Sequence, residues 1–254
     1  MFLDRLIVVP EHRLLFCYIE KNACTAFNTL FLRVRHQSPR RIWFHNSYRE
    51  HGLAADDVED LVRNESWHKA VFFREPLERF VSAFKSKCEP GHDHDGPMRC
   101  LRAFARRNVS FVDAVSSIIE NDGALKPDPH FLPQVNFCGG LNATLKYYDT
   151  VVQLEPSTAR ARVSALLEKI GVVDPDLQFS DLFPQRGEPY PETPRAAAHF
   201  THSHAKVRAY FQAAPRLARL LAHHYKDDYR LFGIDVPAWA TDFSTKVTLP
   251  TTTA

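Results

Sequence analysis

The chain has 254 residues, of which 44% are hydrophobic and 24% charged, and its formal net charge is +2. That length buries a sizeable core, with one α/β domain as the default, and the composition is that of an ordinary globule. The small net charge gives no ground for a nucleic-acid partner, so any basic site must be local. No apolar run reaches the roughly 18–20 residues of a membrane span. The first ten residues lack the long apolar core and cleavage site of a signal peptide. As written, the chain reads as soluble, or as a catalytic domain cut from a longer anchored protein.

In chain order, the run 14–19 (Leu-Leu-Phe-Cys-Tyr-Ile) predicts a buried strand. Residues 20–25 break the pattern, and Phe27, Leu30, Phe31 and Val34 then recur at helical spacing. Residues 56–63 predict a helix entered through acidic residues. Residues 69–73 predict a second buried strand, followed by Arg74-Glu75-Pro76 and a helix whose apolar face is Leu77, Phe80, Val81 and Phe84. Pro76 suits the first turn of that helix, where a missing N–H is harmless. Beyond a polar loop at 88–97, helices are predicted over 98–107 and 111–120. An ordered proline-bearing loop is expected over 122–138, a third strand over 147–154, and a helix over 159–170 that stops at Gly171. Residues 181–194 read as irregular, 204–211 and 215–225 as helical, and 241–254 as a disordered tail. Repeated strand–loop–helix units predict a three-layer α/β/α domain over 1–240, around a central, mostly parallel sheet.

Cysteines 17, 24, 88, 100 and 138 form an odd, sparse set that does not read as a disulfide framework. A Cys88–Cys100 bridge is open to the chain in an oxidising compartment.

Two loops attract attention. Glu20-Lys21-Asn22-Ala23-Cys24-Thr25 leads from a strand into a helix, where free N–H groups and the positive end of the helix dipole suit a phosphate or sulfate. Lys21 adds a charge and Thr25 a hydroxyl; a merely capped helix with a surface lysine is the plain alternative. The loop has no glycine, so it is not a nucleoside-triphosphate loop, and no Gly-x-Gly-x-x-Gly pattern occurs. In the second unit, Arg74 stands at the carboxyl end of a strand, where open α/β sheets bind ligands, and Ser82 lies about two helical turns on. Together they could hold one phosphate; the alternative for Arg74 is an ion pair with Glu75 or Glu78. Arg79 and Lys85 fall on other faces and support the fold.

The pair of motifs resembles the carbohydrate sulfotransferase family of Golgi enzymes that includes the HNK-1 and chondroitin/dermatan 4-O-sulfotransferases. There the first loop reads Pro-Lys-Val-Gly/Ala-Cys-Thr, and the second motif Arg-Asp/Glu-Pro-x-x-Arg-x-x-Ser-Ala-Tyr/Phe. His130-Phe131-Leu132-Pro133-Gln134 with Cys138 and Tyr148-Asp149 is similar to a third family segment. Asp228-Tyr229 and Leu231-Phe232-Gly233 are similar to the family's ending. Glu20 replaces the usual proline and Phe131 the usual tryptophan.

The resemblance implies a P-loop-like sulfotransferase fold and transfer of a sulfuryl group from 3′-phosphoadenosine-5′-phosphosulfate (PAPS) to a carbohydrate hydroxyl, with no metal and no nucleic acid. Lys21, Asn22, Ala23, Cys24, Thr25, Ala26 and Phe27 would hold the phosphosulfate, with Lys21 stabilising the leaving oxygen. Arg74 and Ser82 would grip the 3′-phosphate. A general base is sought at His45, between the donor motifs, or at His130. His92-Asp93-His94-Asp95 fits no standard zinc spacing, and His199, His202 and His204 read as surface residues. The family places its members in the Golgi lumen. The competing readings are an ATP-using, kinase-like phosphotransferase, disfavoured by the missing glycines, and a catalytically degenerate glycan-binding module, kept open by Glu20.

Overall fold

A computed structural model describes residues 5–37, 47–91, 96–120, 128–174, 176–185, 188 and 203–241. His45, the 92–95 cluster, His199, His202 and the tail beyond 241 lie outside them. The strands are β1 (Leu6–Val9), β2 (Leu14–Cys17), β3 (His68–Phe73) and β4 (Thr150–Gln153). The helices are α1 (Cys24–Val34), α2 (Ser47–Glu50), α3 (Ala55–Arg63), α4 (Pro76–Lys87), α5 (Gly96–Phe104), α6 (Phe111–Glu120), α7 (Leu141–Thr144), α8 (Ala159–Lys169), α9 (Ser203–Phe211), α10 (Pro215–His224), α11 (Lys226–Phe232) and α12 (Ala238–Thr241).

The sheet runs β1-β2-β3-β4. β2, β3 and β4 are parallel, with Phe16 opposite Ala70 and Val71 opposite Val151, whereas β1 is antiparallel to β2. The expected mostly parallel sheet is present; its antiparallel edge was not foreseen. The alternation of a strand sends Ile7, Val9, Leu14, Phe16, Ala70 and Phe72 to one face, where α1 and α8 pack on them. Leu6, Val8, Leu15, Cys17 and Val71 go to the other, against Val58 and Val62 of α3 and Leu141 of α7. Helices therefore cover both faces, as parallel strands require. A further apolar cluster is built from α4, α5, α6, α9, α10 and α11 around Phe80, Phe84, Cys100 and Leu221.

Local chemistry explains the ends of the main helices. The Glu75 carboxylate accepts from Leu77 N (3.1 Å) and Glu78 N (2.6 Å), and Pro76 opens α4. α8 ends where Gly171 turns left-handed (φ 69°): Gly171 N donates to Glu168 O and Val172 N to Leu167 O, closing a Schellman motif. Two strands are shorter than the runs that predict them. β2 stops at Cys17, and β4 is confined to Thr150–Gln153, narrower than the segment 147–154.

The cysteine reading needs correction. Besides Cys88–Cys100, the structure pairs Cys17 with Cys138, 121 positions apart, and Cys24 alone among the five is a thiol. The long bridge was invisible because its halves meet only once the 128–138 loop folds back over the end of β2. In the chain-entropy account, removing a bridge of that span costs roughly 4–5 kcal/mol, against roughly 3 kcal/mol for the 12-residue loop of Cys88–Cys100. A Cys17→Ala/Cys138→Ala variant is therefore expected to lose more stability in urea denaturation than Cys88→Ala/Cys100→Ala. The opposite ranking would show that strain or denatured-state structure, not loop span, governs these bridges.

Candidate functional site

The loop between β2 and α1 is held in an unusual backbone shape. Lys21 (φ 71°) and Ala23 (φ 55°) both adopt the left-handed region without being glycine. Such residues cost about 1–3 kcal/mol each and persist where the surroundings over-determine them. Several contacts do so here. Asn22 N donates to Ile19 O at 3.2 Å, and Asn22 Nδ2 donates to Phe72 O at 2.9 Å and to Gln134 Oε1 at 2.8 Å. Ala23 is the N-cap of α1, and no side chain caps that end.

The N–H groups of Cys24, Thr25 and Ala26 precede the first helical hydrogen bond, Phe27 N to Ala23 O at 3.0 Å, and have no carbonyl behind them within the helix. This narrows the expected donor set. The Phe27 amide is engaged and its ring lies in the core, 4.8 Å from that of Phe72. The Asn22 side chain faces inward as a brace. The amides that remain for an anion are those of the first turn.

Glu20 does not oppose Lys21. Its carboxylate accepts from Arg5 Nε at 2.7 Å, so its charge is answered beside β1. Burial raises its pKa, and the Arg5 charge works against that rise. The residue that kept a degenerate, non-catalytic reading open is an internal ion pair.

The second motif meets the first directly. Arg74 Nη1 donates to Lys21 O at 3.2 Å, while Arg74 Nε donates to Glu78 Oε1 at 2.9 Å. The ion pair considered as the alternative for Arg74 therefore exists, with Glu78 rather than Glu75, and its partner helps aim the guanidinium at the loop. Ser82 lies on α4 and is buried, 2% exposed. Lys85 and Lys87 on the same helix are also buried.

Sequence reasoning missed the residue that joins the two motifs. Gln134 is fully buried. Its Oε1 accepts from Asn22 Nδ2 and from Arg74 N (3.0 Å), and its Nε2 donates to Arg74 O (2.8 Å). Its own backbone N donates to Asp228 Oδ2 at 2.9 Å, and Val135 N donates to Oδ1 at 2.9 Å. Burial raises the pKa of Asp228, opposed by these two N–H groups and by the charge of Arg79. In the sequence Gln134 and Asp228 appear only as parts of family-like segments, with no role attached. A lone glutamine in an irregular loop gives no local sign that it will bridge two distant segments.

Arg79 is the third connector and supports the fold, as expected. Its side chain is buried, with Nε donating to Glu20 O (2.9 Å), Nη1 to Leu132 O (2.6 Å) and Nη2 to Pro129 O (3.1 Å). One guanidinium thus pins the His130 turn against the Lys21 loop. His130 itself donates from Nδ1 to Asp128 Oδ1 at 2.5 Å. Burial pushes its pKa down to about 4; Asp128 opposes this, and the charges of Lys87 and Lys21 add to it. His130 is therefore neutral at pH 7, the state a general base needs. Among the described residues no group of three or more His, Cys, Asp or Glu is placed to hold a metal ion, and no helix is long and apolar enough to cross a membrane.

A lysine and first-turn amides beyond the end of β2 are braced through Gln134 to an arginine at the end of β3, at the carboxyl edge of the parallel strands where open α/β sheets bind ligands. The chain belongs to the sulfotransferase family, whose model matches residues 4–235. Among curated relatives, it is 21% identical over 265 residues to carbohydrate sulfotransferase 14 of Danio rerio, covering 95% of this chain and 65% of that protein. It is 23% identical over 266 residues to carbohydrate sulfotransferase 10 of Homo sapiens, covering 92% and 68%. A shorter match, 31% identical over 93 residues, is to carbohydrate sulfotransferase 11 of Rattus norvegicus, covering 34% and 26%. The chain thus spans less than two thirds of the length of the first and last of these relatives. No solved structure matches it.

Proposed function

We propose that the protein transfers a sulfuryl group from PAPS to a hydroxyl of a carbohydrate acceptor, on a P-loop-like sulfotransferase fold. The observation that carries this reading is the direct contact between the two anion-binding motifs, Arg74 Nη1 to Lys21 O, with Gln134 bracing both. A donor with phosphate at both ends of its ribose needs two cationic points held at fixed separation, and a brace that ties the backbones of Lys21 and Arg74 together supports that reading.

In the proposed arrangement the amides of Cys24, Thr25 and Ala26 and the Lys21 ammonium hold the 5′-phosphosulfate. Arg74 and Ser82 hold the 3′-phosphate, the group that separates PAPS from ATP. The acceptor oxygen attacks sulfur in line while the bridging oxygen departs on phosphate with Lys21 beside it; the protein positions groups and stabilises charge. His45 and His130 are the bases the sequence offers, and the neutral state of His130, in a turn that Arg79 ties to the Lys21 loop, supports it. The carbohydrate sulfotransferase names of the relatives support a glycan acceptor. Two disulfides suit folding in an oxidising lumen.

Calorimetric titration with adenosine 3′,5′-bisphosphate, with ADP as control, tests the donor. The bisphosphate is expected to bind more tightly than ADP. Arg74→Ala is expected to weaken it by about 10–150-fold, the equivalent of losing a charged hydrogen bond worth about 1.5–3 kcal/mol. Equal binding of ADP and bisphosphate would sink the PAPS reading.

A further inference from the structure

Sulfuryl transfer to an alcohol releases a proton, and of the two candidate bases His130 is the one whose surroundings are described. The Asp128 side chain is 1% exposed and accepts from both His130 Nδ1 (2.5 Å) and His130 N (3.1 Å). Arg99 of α5 stands 3.6 Å from its other oxygen. Burial works against the Asp128 charge, but the His130 hydrogen bonds and the Arg99 charge outweigh it and hold the carboxyl below its usual range. An ionised carboxylate can only accept, so the proton of a neutral His130 ring lies on Nδ1 and Nε2 carries the lone pair. The imidazole is also placed. Arg79 binds Pro129 O and Leu132 O on either side of it and Glu20 O next to Lys21. The cations that His130 feels are Lys21 from the loop and Lys87 from α4.

We propose that Asp128 and His130 act as a dyad: Asp128 fixes the Nδ1–H tautomer and the ring orientation, and His130 Nε2 removes the proton of the acceptor hydroxyl. As the acceptor O–S bond forms, the bond from sulfur to the bridging oxygen breaks. The acceptor proton passes to Nε2, and adenosine 3′,5′-bisphosphate leaves with the electron pair. His130 becomes an imidazolium beside the Asp128 carboxylate, which compensates the charge that Lys21 and Lys87 disfavour. Asp128 is a positioning residue and His130 the catalytic one. This rests on the reading of the protein as a PAPS-dependent sulfotransferase.

The test has two arms. In the full chain with labelled histidine, NMR reads the His130 tautomer at pH 7. Nδ1–H is expected in the natural protein, and a shift towards Nε2–H in Asp128→Asn, whose amide can donate to Nδ1. An Nε2–H or doubly protonated ring in the natural protein overturns the dyad without reference to any acceptor. In the second arm, release of bisphosphate from PAPS is followed over a panel of unsulfated glycans. Asp128→Asn and His130→Gln are each expected to lower kcat by about 10²–10⁴-fold, and the double variant to lose no more than His130→Gln alone. Bisphosphate affinity, measured by calorimetry, stays at its natural value in all three and so reports an intact fold. If Asp128→Asn keeps kcat, or if the two losses multiply, Asp128 only caps its turn. If the natural protein binds no bisphosphate, it is the donor reading that fails.

Discussion

Replacing Arg79 with leucine is expected to lower the unfolding free energy by about 3–5 kcal/mol, the range for removing one partner from a buried charged network. The guanidinium ties three carbonyls from two segments, Glu20 O, Leu132 O and Pro129 O, the first two by buried bonds and the third by a part-buried one. Leucine fills part of the volume and leaves all three without donors, at about 1–3 kcal/mol for each buried unsatisfied group before relaxation. The cation also stands near the buried carboxyls of Asp228 and Glu20, which lose its field. Burial already lowers the Arg79 pKa while those anions raise it, so the interior favours this charge only because its partners are present. Arg79→Lys keeps the charge but cannot span three carbonyls from one point, so an intermediate loss is expected. Urea denaturation decides. A Leu variant within about 0.5 kcal/mol of the natural protein, the range of ordinary surface changes, would show that the 128–138 loop is held by other contacts.

The second large effect concerns chemistry. Lys21→Ala is expected to lower kcat by about 10²–10³-fold, the loss that follows removal of a group aimed at charge developing in the transition state. Lys21 already occupies a left-handed backbone (φ 71°), and alanine bears the same backbone cost as lysine, so the substitution removes the ammonium and little else. The fold is expected to persist, because Asn22, Gln134 and Arg79 keep the loop in shape, while bisphosphate, whose 5′-phosphate the ammonium also holds, is expected to bind more weakly. Turnover is read as bisphosphate released from PAPS over unsulfated glycans. An unchanged kcat would remove Lys21 from the leaving-group role and leave it as a binding charge.

Much of the protein can be read from its sequence because the signals are short in range. Alternation and apolar runs marked β2 and β3, and spacing of three and four marked the faces of α1 and α4. Pro76 and Gly171 set one start and one stop, since the proline's missing N–H and the glycine's left-handed freedom act within a turn of the chain. The two candidate anion-binding loops follow from their places after strands; Lys21 and Arg74 stand out by their chemistry there, and His130 through the resemblance of its segment to a family motif. The antiparallel β1 could not be found that way. Four buried apolar residues look like many other runs until Leu14–Cys17 lies beside them.

The tertiary structure decided how those pieces become one site. Glu20 is neutralised by Arg5, 15 positions away, and Cys17 is joined to Cys138. Gln134 clamps Asn22 to Arg74, and Asp228 anchors Gln134 across 94 positions. Asp128 lies two residues from His130 in the sequence, but only the folded turn, which brings the His130 N–H groups and Arg99 against it, makes it an ionised, oriented partner despite its burial. In each case a polar group taken out of water must find a partner, and the partner available is set by which loops packing brings together. A sequence shows which groups need partners; the folded chain chooses them.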